Sequence, residues 1–244
     1  ANIFTLLSNS VTNATGQLAT LVAGATVSGT RWVVQRFASA TTANWDDLSS
    51  PLTNSDISDW DAELYLSMDP SCPDQMAVSF QSVYYYTEST STWVPVTSCT
   101  QPLLNTRGFE LWLGTDLENM AATTFNTGLQ VGGTPATGNR VATVTRTGAD
   151  GWNLIGNPYP AAIDWDLVFV NAISLDNLVQ IYDQTINDYA IYNGTTPASS
   201  TGQLFGSGGV LSSTQGFWVH STAGTPSLTF RETHKSSTTS RPLV

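Results

Sequence analysis

The chain has 244 residues, enough to bury a sizeable core in one large domain or two small ones. Charged residues make up only 11%, and 19 acidic against 8 basic residues leave a formal charge of −11, which argues against nucleic-acid binding because a phosphate backbone would be repelled. No apolar run approaches the roughly 18 residues of a membrane-spanning helix, and no basic stretch followed by an apolar one opens the chain.

With charge scarce and Ser, Thr, Asn and Gly abundant, the solvent face must be mostly hydroxyl and amide, a composition suited to exposed strands and turns. The expected class is all-β. Residues 1–30 alternate weakly over Phe4–Leu7 and Gln17–Leu21 and have no copy elsewhere. They read either as the end of a preceding β region or as edge strands pairing onto the β-structure that begins near residue 31.

From residue 31 onward the chain repeats itself, and that changes how its other residues are read. An alternating stretch Trp32–Phe37 leads to Trp45-Asp46-Asp47-Leu48-Ser49-Ser50-Pro51 and then to Ile57-Ser58-Asp59-Trp60-Asp61. A second, Arg140–Thr145, leads to Trp152-Asn153-Leu154-Ile155-Gly156-Asn157-Pro158 and then to Ile163-Asp164-Trp165-Asp166. Tyr86 and Trp93 lie seven apart, as do Tyr182 and Tyr189, each pair flanking polar turn residues and so reading as a β-hairpin. Gly108-Phe109 matches Gly216-Phe217, each opening a short apolar strand, and Thr124-Phe125 matches Thr229-Phe230. The offsets between matched landmarks are 107, 108 and 105. Two antiparallel, sandwich-like β repeats are therefore expected, one over residues 31–130 and one over 140–232. Each Gly-Phe strand should be central and each Trp-to-Pro segment an inner strand. Residues 233–244 are polar and expected to be a flexible tail. Helix has weak support only over 164–172 and 176–181.

The run Gly151-Trp152-Asn153-Leu154-Ile155-Gly156-Asn157-Pro158-Tyr159-Pro160, with Ile163-Asp164-Trp165 and Gln215-Gly216-Phe217-Trp218-Val219, closely resembles a module of large secreted Bacteroidota cell-surface proteins. There it lies just upstream of the sorting domain read by the type IX secretion system. The resemblance implies an extracellular, surface-displayed location and an adhesion-like role, with further β-structure beyond Val244 in the parent protein. It brings no catalytic residues.

Candidate chemistry is sparse. Asp56, Asp59, Asp61 and Glu63 form an acidic cluster; in an extended segment the last three share a face and offer hard oxygen ligands to Ca²⁺. The plainer reading is a solvated acidic loop with local turn-capping bonds. Cys72 and Cys99 lie 27 positions apart and, in an extracellular protein, read as a disulfide. Neither His220 nor His234 sits in a metal-ligand spacing, and no Gly-x-Ser-x-Gly elbow is present. Among the aromatics, Trp45 with Trp152 and Trp60 with Trp165 recur and read as core. Trp93 and Tyr189, near the hairpin tips, are the best candidates for an exposed glycan-binding platform. The expected partners are neighbouring domains of the same parent protein or other copies of the chain, with glycan as the alternative. No enzymatic activity is expected.

Overall fold

The computed structural model describes residues 3–8, 15–29, 31–40, 44–61, 66, 81–113, 125–147, 150–183, 186–194, 199–200 and 209–238. The first half comprises β1 (Ile3–Leu6), β2 (Arg31–Ala40), β3 (Asn44–Leu48), β4 (Leu52–Thr53), α1 (Ser58–Asp61), β5 (Val83–Thr87), β6 (Thr92–Pro95), β7 (Phe109–Leu113) and β8 (Phe125–Pro135). The second comprises β9 (Arg140–Ala142), β10 (Trp152–Gly156), β11 (Ile163–Asp164), α2 (Trp165–Phe169), β12 (Leu175–Asp183), β13 (Asp188–Asn193), β14 (Ser199–Ser200), β15 (Val210–Leu211), β16 (Gly216–Ser221) and β17 (Leu228–Phe230). The class is all-β, and both helices are single turns.

Each half carries one main antiparallel sheet. The orders are β3-β7-β5-β6 and β10-β16-β12-β13-β14, so both run from the Trp strand through the Gly-Phe strand to a hairpin. Leu48 pairs with Phe109 in one sheet and Ile155 with Phe217 in the other. Both hairpins form as the alternation predicts: Tyr86 faces Trp93 with ring centroids 5.4 Å apart, and Tyr182 faces Tyr189 at 5.6 Å. Their turns place Ser91 and Asn187, which are 96 residues apart like the paired aromatics, in the left-handed region at φ 50° and 51°.

Alternation puts Val83, Phe109, Leu111 and Leu113 on the inner face of the first sheet. There they meet Trp32, Val34 and Val131 from a second sheet of order β1-β2-β8-β4. In the second half Val179, Ile181, Phe217 and Val219 pack on Leu228 and Phe230 of the β17–β9 pair and on helix α2. The short helices fill equivalent places. Trp60 on α1 is 2% exposed and meets Phe109 edge-on at 5.9 Å; Trp165 on α2 is fully buried and meets Phe217 at 6.1 Å.

Several expectations are corrected. The Gly-Phe strands are central, but the Trp-to-Pro strands β3 and β10 are sheet edges, protected by the other half rather than by a second neighbour in their own sheet. Trp45 and Trp152 are only half-buried; Trp45 packs on Trp112 and Tyr84, and Trp152 on His220. Residues 176–181 belong to strand β12, because pairing on both sides overrides an ambiguous local pattern. Residues 233–238 are not loose. His234 and Lys235 are buried, Lys235 bridges to Ile163, and the Ser236 amide donates to the Ala162 carbonyl. The N-terminal segment supplies β1, an edge strand parallel to β2, and then crosses to the second half: the Leu18 amide donates to Pro160 O and the Ala162 amide to Gln17 Oε1.

Candidate functional site

The two halves meet along a seam with reciprocal contacts. Leu48 bridges to Gln215, and Ile155, its counterpart by ladder register, bridges to Arg107, the counterpart of Gln215. The Ser49 amide donates to Thr214 O at 2.8 Å, and the Gly156 amide to Thr106 O at 3.1 Å. Strand β3 lies against β12 and β16, while β10 lies against β5 and β7. This is the self-complementary pattern of a two-fold interface, here within one chain.

That pattern explains the glycines of the repeated motifs. A Cβ on Gly108 would fall 2.7 Å from the Ile155 carbonyl oxygen, one on Gly156 2.3 Å from Ser49 Cβ, and one on Gly216 2.8 Å from the Asp47 carbonyl carbon. All three strands approach the opposite half more closely than any side chain allows. Just beyond Gly156, the fully buried Asn157 side chain donates to the carbonyls of Ala161 and Ser212, both at 2.8 Å, and accepts from the Tyr159 amide at 3.0 Å. It fixes the Pro158-Tyr159-Pro160 corner. Ser50 accepts from the Leu52 amide in the same manner across Pro51.

The seam's interior is aromatic and acidic. Trp218 meets Tyr86 at 5.0 Å, Trp93 at 5.5 Å and Tyr189 at 6.5 Å, each edge-on, and its indole N–H donates to Asp47 Oδ2 at 3.0 Å. Asp47 is 2% exposed and sits opposite Glu110 in the β3–β7 ladder. Burial drives the Asp47 carboxyl well above the ordinary range, and the neighbouring Glu110 and Asp46 charges add to it; burial alone raises Glu110 to about 7. On the core side of β3, burial raises Asp46 to about 8 against the opposing pull of Arg36. Asp46 and Asp47 are both buried, and Glu110 is partly so. At the rim, buried Glu88 accepts from Thr145 Oγ1 at 2.8 Å, the Thr147 amide at 2.9 Å and Thr147 Oγ1 at 3.1 Å, which ties the first hairpin to the second half.

The structure separates the residues proposed from sequence. Trp93, at 36% exposure, and half-buried Tyr189 come together through Trp218, presenting edges to one another instead of an open platform. In the acidic cluster, Ser58–Asp61 is a helical turn, so Asp59 and Asp61 do not share a strand face as the extended reading required. Asp56 accepts from the Ser58 amide at 3.0 Å, and Asp59 accepts from the Asp56 amide and pairs with Arg31 at 3.6 Å. The Asp61 side chain and Glu63 lie outside the described residues, among which no three His, Cys, Asp or Glu side chains are grouped to hold a metal. Cys99 is buried and is no free thiol, while Cys72 lies outside the described residues. Among the described residues, no helix is long and apolar enough to cross a membrane.

Sequence reading missed Asp47, Glu110, Arg107 and Trp218, because their contacts join segments distant in the chain, Asp47 with Glu110 through the β3–β7 ladder, Asp47 with Trp218 and Arg107 with Ile155. The available signal was Glu110 itself, a carboxylate inside an otherwise apolar strand where the second copy has Trp218. No family model, no curated protein and no solved structure matches this chain.

Proposed function

We propose that the chain is a non-catalytic structural or adhesive module of a secreted or surface-displayed bacterial protein, built from two copies of one β unit. The observation that carries this reading is the seam: Gly108, Gly156 and Gly216 of the repeated motifs and the aromatics packed on Trp218 are occupied in holding the halves together. Asp46 and Asp47 are buried, without the solvent access that general acid–base chemistry requires. The Gly151–Pro160 run, similar to modules upstream of type IX sorting domains, supports the location, and in such a location Cys72 and Cys99 would form a disulfide. Edge strand β1, with Ile3 61% and Phe4 60% exposed, supports association with neighbouring domains or other copies.

Incubation with a broad panel of polysaccharides and peptides tests the non-catalytic role: no turnover is expected from the native chain. Turnover that disappears in Glu110→Gln would contradict it. The alternative, a carbohydrate-binding module using Trp93 and Tyr189 as its platform, is weakened by the edge-on packing of both rings around Trp218.

A further inference from the structure

The seam has two related flanks, and only one is closed. On the closed flank Asp183, Ser212, Thr214 and Gln215 are buried, none more than 8% exposed. Their counterparts by register, Thr87, Leu104, Thr106 and Arg107, instead line a groove of about 190 Å³ between the halves, and Leu104 is 52% exposed. Among the described residues the two flanks therefore differ, one with these four side chains buried and one left open.

The groove's chemistry is specific. Thr87, Thr106, Thr143 and Thr145 line it with hydroxyls, and Tyr86 supplies an aromatic wall. Arg107 also lines it, and its guanidinium carbon lies 4.6 Å from the ring centroid of Tyr85, the neighbour of Tyr86 on β5. Among the described residues no carboxylate lies within ion-pair distance of it. Glu88, the one acid in the lining, is already engaged by Thr145 and Thr147. A guanidinium beside hydroxyls complements a polyhydroxylated ligand bearing one carboxylate, and this local pairing must outweigh the long-range repulsion of a chain of charge −11. The volume is below the roughly 300–1,000 Å³ of pockets that enclose drug-sized molecules, so a single ring enters while the rest of its chain stays in solvent.

We propose that this groove binds one uronic acid unit of an acidic saccharide, with Arg107 on the carboxylate and the threonine hydroxyls on the ring hydroxyls. The structural role above does not depend on it. Calorimetric titration of the full chain with trigalacturonate and trimannuronate, beside the methyl-esterified form of each, tests it at about 0.15 M salt, where long-range repulsion is screened. At least one free acid should bind, and its ester should bind about tenfold or more weaker, the loss expected when a charge-assisted pair is removed. Arg107→Gln, which installs the residue type that the second half carries there, should weaken binding by a similar factor. Thr143→Trp, at an exposed position on the groove's lip, should block it without touching the seam, and decides the matter if Arg107→Gln does not fold. No binding by either acid, equal binding of acid and ester, or binding that survives a folded Arg107→Gln or Thr143→Trp overturns the proposal.

Discussion

A Cβ on Gly156 would sit 2.3 Å from Ser49 Cβ and 2.8 Å from the Arg107 carbonyl oxygen, one contact with each of two repeated motifs in the first half. The Arg107 segment cannot withdraw without breaking the Gly156–Thr106 hydrogen bond, nor the Ser49 segment without breaking the Ser49–Thr214 one. Gly156→Ala should therefore cost about 1–3 kcal/mol, the usual penalty of overpacking a filled site, read from urea denaturation midpoints. Gly224→Ala, with nothing within 4 Å of its Cβ, is the control and should stay within about 0.5 kcal/mol. Equal losses at both positions would mean that close packing is not what Gly156 provides. The sequence made these glycines visible as repeated landmarks, but not their reason, because the atoms they make room for lie in the other half of the chain.

At the scale of elements, what periodicity encodes was legible and what packing decides was not. Alternation and turn residues locate both hairpins, and the recurring Trp60 and Trp165 are core, since these depend on neighbours close in sequence or on plain hydrophobicity. The acidic segment after Pro51 turns helical because capping bonds at Asp56 compete with extended backbone. The β3–β7 ladder has a pH consequence. Asp46, Asp47 and Glu110 ionise near pH 4 in the unfolded chain but hold their protons to about 8, well above the ordinary range, and to about 7, respectively, when folded. Between those limits the native state binds more protons than the unfolded state, so stability falls as pH rises from about 4 to 8. Glu110→Gln should flatten part of that decline between about pH 5 and 7 in denaturation curves collected across the range; an unchanged slope would mean that Glu110 titrates alike in the folded and unfolded chain. A Cys72–Cys99 bridge closing a 27-residue loop should contribute roughly 3 to 4 kcal/mol, so reduction should lower the denaturation midpoint. Alkylation of both thiols without reductant would rule the bridge out.

For the whole molecule, the similarity of the halves does not make them independent. Each has its own hydrophobic core, yet each sheet leaves its Trp strand at an edge that only the other half covers, and residues 15–21 and 231–238 cross-link the two ends of the chain. Alternation, turn residues and repeated motifs in the sequence indicated two β units; their mutual burial arises from the seam, which no local pattern encodes. The most direct measurement is scanning calorimetry of the full chain. Reciprocal locking predicts a single transition in which the calorimetric and van't Hoff enthalpies agree, shifted as one by Gly156→Ala. Two resolved transitions, with Gly156→Ala moving only the one assigned to the second half, would contradict it.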